Sequence, residues 1–176
     1  MSRIRRLLTA LRSAVTTGSG ASVIAARTPP APAPVDSPGH SGPDATIVLD
    51  PSGLGGLGWG YAPENDGALD RGEIVWTWVP YQERDGRGKD RPVVIMATMG
   101  AGDLLAVQLT STDHSGDNDY VPLGVGGWDR VGRPSWAGIG RVFRVRQGGV
   151  RREGTVVGAA RYSQIERALR ARHHWR

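Results

Sequence analysis

The sequence predicts a mainly β fold with helical additions, the chief one a C-terminal helix. Short apolar runs rich in Val, Ile, Leu and Trp recur from Glu73 onward, separated by polar turns. The chain holds 26 Gly and 12 Pro among 176 residues, which favours short strands and tight turns over long helices. Within the part from Glu73 onward, a helical spacing of apolar residues comes only near the end, around Ile165, Ala168 and Leu169.

Composition bounds the rest. The length suits one domain of ordinary size, and 39% hydrophobic residues can form its core. The chain has no cysteine, which excludes a disulfide scaffold and a thiolate metal site and fits a cytoplasmic location. Net charge is +5, but it is unevenly spread. Residues 130–176 carry 12 arginines and 2 acidic groups, whereas residues 71–129 carry 5 basic and 9 acidic groups. The C-terminal quarter is therefore a candidate surface for nucleic acid or an acidic partner.

In chain order, residues 1–60 read as a low-complexity, largely flexible extension. Ile4, Leu7, Leu8, Leu11 and Val15 recur at helical spacing among Arg3, Arg5, Arg6 and Arg12, which gives a short basic amphipathic helix. No apolar run there approaches the roughly 20 residues of a membrane span, so no stable membrane insertion is expected. A Pro-Ala run and the Gly-rich GLGGLG follow, with one short strand between them in Ala45 to Asp50. GLGGLG has neither the flanking strand and helix nor the lysine of a nucleotide-binding loop. The folded domain is placed at residues 61–176, with Trp59 and Tyr61 at the start of packing.

Glu73 to Val79 reads as a buried strand ended by Pro80. Gln82 to Asp90 reads as a mobile charged loop, and Val93 to Ala97 as a second strand entered through Pro92. Leu104 to Leu109 is the third, joined to the second by a hairpin turn at Met99 to Asp103. Thr112 to Asn118 is a polar loop, and Tyr120 to Leu123 a short edge strand. Arg141 to Arg146 reads as a strand with a basic exposed side, and Gly154 to Val157 as a last strand. Ser163 and Glu166 fit a capping box for the terminal helix. His173, His174 and Trp175 read as its frayed end.

The chemistry-bearing groups gather in Arg71 to Thr112. Arg91 closes the charged loop and can give bidentate hydrogen bonds to a phosphate. Thr110, followed by Ser111, ends the third strand and can hold a phosphate or an attacking hydroxyl. His114 is the nearby group with an intrinsic pKa suited to proton transfer. Arg87, Lys89, Arg141 and Arg144, with Ser111 and His114, complete the candidate substrate-binding set. No metal ligand set converges in the sequence, and no cofactor is expected. The structural alternative pairs Arg91 with Asp90 or Glu73 and leaves Thr110 as an ordinary strand end. The same groups also suit a binding module for single-stranded RNA, with Trp76, Trp78, Trp128 and Trp136 as stacking candidates.

These residues resemble the PemK/MazF-like toxins of bacterial type II toxin–antitoxin systems. The likeness covers roughly Asp70 to Leu169 and rests on RGEIVWTWVPY, KDRPVVIM, LLAVQLTST and RREGTVVGAARYSQIERAL in this order. It implies an SH3-like β-barrel with helical additions, a homodimer, a cognate antitoxin as partner, and a metal-independent endoribonuclease acting on single-stranded mRNA. The implied products carry a 2′,3′-cyclic phosphate and a 5′-hydroxyl. Arg91 matches the family's catalytic Arg, and Thr110 its catalytic Thr. Two departures stand out: Gly140 occupies a position that is often acidic, and Asp90 sets a negative charge beside Arg91. A catalytically weak nucleic-acid-binding protein and a protein-interaction module on the same barrel are the alternatives.

Overall fold

The computed structural model describes residues 37–64, 66–83 and 85–176. The amphipathic helix read over residues 1–16 lies outside the described residues. Those residues form strands β1 (Ile47–Leu49), β2 (Glu73–Pro80), β3 (Gly88–Thr98), β4 (Leu104–Thr110), β5 (Tyr120–Gly124), β6 (Ser135–Gly138), β7 (Val142–Val145) and β8 (Arg151–Val156), and helix α1 (Ala159–His173). The strand pairings are antiparallel, in the order β1-β7-β4-β3-β2-β8; β6 joins the end of β4, and β5 pairs with β6. This is the mainly β fold with a C-terminal helix that the sequence predicts.

Strand alternation divides the core in two. Ile74, Val94, Met96, Leu105, Val107 and Leu109 face one cluster, shared with Val121, Ala137 and the helix residues Tyr162, Ile165 and Leu169. Val75, Val79, Val93, Ile95, Leu104 and Ala106 face the other, with Phe143 and Val145. The face of the second cluster runs on beyond the core as a row of polar side chains, Lys89 and Arg91 on β3 and Gln108 and Thr110 on β4.

Several sequence expectations change. The loop before β3 is shorter than Gln82 to Asp90: β3 begins at Gly88, because Lys89, Asp90 and Arg91 pair with Val79, Trp78 and Thr77 of β2. Pro92 thus lies inside a strand. It is tolerated because β3 has only β2 as neighbour there, its pairing with β4 starting at Val93. Ser135–Gly138, not among the strands read from the sequence, forms β6. The basic side of β7 is not a free exposed face. Arg144 donates to the Ala45 carbonyl at 3.2 Å, and Arg146 meets the Asp103 carboxylate at 2.5 Å and the Pro43 carbonyl at 2.8 Å. The Asp103 carboxylate between β3 and β4, with carbonyls of the segment ahead of β2, takes up these arginines.

The helix also differs at both ends. Its N-cap is Gly158, so Ser163 is an interior residue and the capping box does not form. Burial decides this: Tyr162, Ile165 and Leu169 must share one inward stripe, which requires the helix to begin ahead of them. The Tyr162 hydroxyl donates to the Met96 carbonyl and accepts from the Gly60 amide at 3.1 Å. The C-terminal end is docked instead of frayed. A His173 ring nitrogen lies 2.7 Å from the Ile139 carbonyl, and the Trp175 indole donates to the Pro51 carbonyl at 3.0 Å and packs 5.8 Å from the Trp59 ring.

The segment ahead of residue 61 also packs on the sheet. β1, the short strand read in Ala45 to Asp50, pairs with β7, setting Val48 opposite Phe143. Thr46 hydrogen-bonds the buried Thr77 at 2.6 Å, and His40 lies edge-on to Trp78 at 4.2 Å.

Candidate active site

The site is built where β3 and β4 part. Val93 pairs with Gln108, Val94 with Val107 and Ile95 with Ala106. Carrying this register past its end sets Pro92 opposite Leu109, then Arg91 opposite Thr110. Pro92 has no N–H to give, so the ladder stops. β4 turns to β6 instead, pairing Leu109 with Ala137 and Thr110 with Trp136. Arg91 and Thr110 thus lie past the last β3–β4 pair, both on the face that holds Val93, Ile95 and Ala106.

Neither side chain is bound to a carboxylate among the described residues. Arg91 is half-buried and makes no ion pair among the described residues. The partners that the sequence offered it are taken. Glu73 bonds Arg152 at 2.6 Å, and Asp90 bonds Arg151 at 3.1 Å. Alternation turns Asp90 to the face opposite Arg91, where Arg151 also lies over Trp76. The Thr110 hydroxyl oxygen accepts from the Thr112 amide at 3.1 Å, which fixes the oxygen and leaves its proton free to donate.

Tyr120, which opens β5 opposite Gly138 of β6, packs against His114. Their rings stack with centroids 3.5 Å apart and planes 8° from parallel. His114 Nδ1 lies 3.7 Å from the Asp117 carboxylate. The Tyr120 hydroxyl is pushed above the usual tyrosine range, first by burial and then by the Asp117 charge, with Arg91 pulling against the rise.

The other sequence-predicted residues scatter. Arg141 continues the face of Phe143 and lies over its ring; it donates to the Pro80 carbonyl at 2.9 Å, which ties down the base of the β2–β3 loop. That loop closes through the Tyr81 amide and the Arg87 carbonyl at 2.9 Å. Arg87 is spent on Asp85 at 2.6 Å, whereas Lys89 is exposed on the Arg91 face. Ser111 is exposed just past Thr110. Arg144 stands opposite Leu105, five residues from Thr110 and so about 17 Å along β4, outside this group.

Trp78 and Trp128 are core residues, while Trp76 and Trp136 are half-buried. Sequence reading did not single out Gln108 or Tyr120. The signal for Gln108 was available, as a polar residue inside an apolar run two positions before Thr110. Tyr120 carried no local signal, because only the β5–β6 pairing brings it here. Among the described residues no cluster of His, Asp and Glu is suited to hold a metal ion.

The model of one protein family, described as PemK-like, MazF-like toxin of type II toxin–antitoxin system, matches residues 70–172. No curated protein matches the chain. Among solved structures that match is a MazE–MazF crystal structure (Form-II) from Deinococcus radiodurans, 14% identical, covering 59% of this chain and 94% of that one with a TM-score of 0.43. At that similarity it supports no residue-level comparison.

Proposed function

The chain belongs to the PemK-like, MazF-like toxins of type II toxin–antitoxin systems, and from that premise we propose that it is a metal-independent endoribonuclease acting on single-stranded mRNA. The carrying observation is that Arg91 and Thr110 lie just past the end of the β3–β4 ladder, on the strand face that holds Val93 and Gln108. In this reaction the ribose 2′-hydroxyl attacks the adjacent phosphorus, the bond to the 5′-oxygen breaks, and a 2′,3′-cyclic phosphate and a 5′-hydroxyl result.

Negative charge grows on the non-bridging oxygens as the fifth bond forms. Arg91, without a carboxylate partner, is free to pair with them, and Thr110 donates its hydroxyl proton to the same group. His114, oriented by Asp117 and stacked on Tyr120, is the nearest group suited to moving a proton. The β2–β3 loop, anchored through Arg141, would cover bound RNA and meet the antitoxin, with the protein acting as a homodimer in the cytoplasm. No helix among the described residues is long and apolar enough to cross a membrane.

The test is incubation of purified protein with mixed-sequence RNA in EDTA, followed by mapping of fragment ends. Cleavage leaving cyclic phosphates and 5′-hydroxyls, absent in Arg91→Ala and Thr110→Ala, is the expected result. RNA that is bound yet stays intact under folded wild-type protein would overturn the enzyme reading in favour of a binding module on the same fold.

A further inference from the structure

Gln108 is the feature of this face that phosphate chemistry leaves unused. It is half-buried, and its carboxamide has no hydrogen-bond partner among the described residues. It shares a strand face with Thr110, two residues on, and with its cross-strand partner Val93. Gly138 makes room for it: a Cβ there would stand 3.2 Å from Tyr120 Cε1 and 3.4 Å from both Gln108 Cγ and Nε2. The amide and the Tyr120 ring therefore lie side by side over the Gly138 backbone. Two residues before Gly138 on the same face is Trp136, half-buried and directly opposite Thr110.

A planar aromatic group, an amide with donor and acceptor both unspent, and a phosphate-handling pair thus occupy one strand face. A phosphate needs the last of these alone. The first two match a nucleobase, which offers a π face to stack and an edge to hydrogen-bond. We propose that Gln108 and Trp136 form a base-reading subsite beside the Arg91–Thr110 pair. The base of a nucleotide flanking the scissile phosphate stacks on Trp136, and the Gln108 carboxamide bonds its edge. Adenine is the match, because its adjacent donor and acceptor pair with a carboxamide in two hydrogen bonds. Gln108 is then a specificity-determining residue; this inference rests on the RNA-cleaving reading above.

The test compares wild type, Gln108→Ala and Gln108→Glu on a randomised single-stranded RNA, with fragment ends sequenced. The same Gln108 changes are also made in a Thr110→Ala background and used to select bound RNA from the randomised pool. Wild type is expected to favour adenine at one position flanking the cut. Gln108→Ala should lower that preference roughly tenfold, the size of one good base contact, while cleavage persists. Gln108→Glu offers acceptors only and should move the preference toward guanine, whose edge presents two donors. Gly138→Ala, which crowds the amide without removing it, should weaken the same position; thermal melts confirm that each variant is folded.

Cleavage by wild type with preferences unchanged in Gln108→Ala overturns the subsite and leaves the nuclease reading standing. Loss of preference for a different base overturns the adenine assignment. Absence of cleavage, with a Gln108-dependent preference in the selected pool, overturns the nuclease reading and supports the subsite. Absence of both overturns both.

Discussion

Arg91 and Thr110 share one geometric cause, the missing N–H of Pro92. Were the ladder to continue, they would be an ordinary cross-strand pair at a closed sheet position. Because it stops, they lie past the last pair, and neither is tied to a carboxylate. Removing either should lower cleavage without lowering stability much, since Arg91 makes no ion pair and the Thr110 hydroxyl only receives one amide. We expect Arg91→Ala and Thr110→Ala each to reduce kcat about 10²–10³-fold, the usual loss on removing one donor to a developing oxyanion. Arg91→Lys should recover part of it, as a point charge without the bidentate fork. Thr110→Ser, which keeps the hydroxyl, should recover most. Single-turnover rates on a short cleavable RNA measure all four, and an unchanged rate in Arg91→Ala would sink its assigned role.

At the scale of the element, α1 is held by Tyr162 more than by its caps. The ring is buried, and its hydroxyl both donates to the Met96 carbonyl and accepts from the Gly60 amide. Burial is the main reason its pKa is pushed up to about 12. The folded state thus keeps this proton at a pH where the unfolded chain, near pKa 10, has lost it. The stabilising effect is whole below pH 10 and is lost as pH rises toward 12, by about 2–3 kcal/mol in all. Tyr162→Phe should lower stability by roughly 1–3 kcal/mol at neutral pH. It should also flatten the alkaline limb between pH 10 and 12, read by urea melts across that range. The sequence showed that a helix lies here but not where it starts. Ser163 and Glu166 have the local chemistry of a cap, and tertiary burial of Tyr162 overrode it. The same division holds at the site. Strands β2, β3 and β4 were legible from their apolar runs, and the motifs put Arg91 and Thr110 forward as the candidates proposed above. The packing of Tyr120 over Gly138 beside Gln108 was not, because it depends on β4 leaving β3 for β6, and β6 is too short and too rich in small residues to announce itself.

For the whole molecule, the open question is where the folding unit begins. Composition puts a boundary near residue 61, and the family match begins at residue 70. The contacts argue for an earlier start. Thr77, buried and directly opposite Arg91 in the β2–β3 register, accepts or donates to Thr46 at 2.6 Å and donates to the Gly149 carbonyl at 2.7 Å. Gly39 closes over it at φ +78°, so near that an added Cβ would stand 2.2 Å from the Thr77 hydroxyl oxygen. We propose that residues 37–60 belong to the folding unit and brace the strand position beside Arg91. A chain beginning at residue 61 loses the β1–β7 ladder, the Thr46 partner of a buried hydroxyl, and the Trp59 and Pro51 contacts of Trp175. That should cost at least about 3 kcal/mol and lower Tm by on the order of 10 °C. Gly39→Ala, which deletes nothing, should destabilise comparably, because both a rigid neighbour and the left-handed backbone oppose the new Cβ. Cleavage should fall in step, since Thr77 shares its pair position with Arg91. A chain from residue 61 that melts within about 2 °C of one from residue 37, with equal activity, would return the boundary to residue 61 and leave the earlier segment as an ornament of the sheet edge.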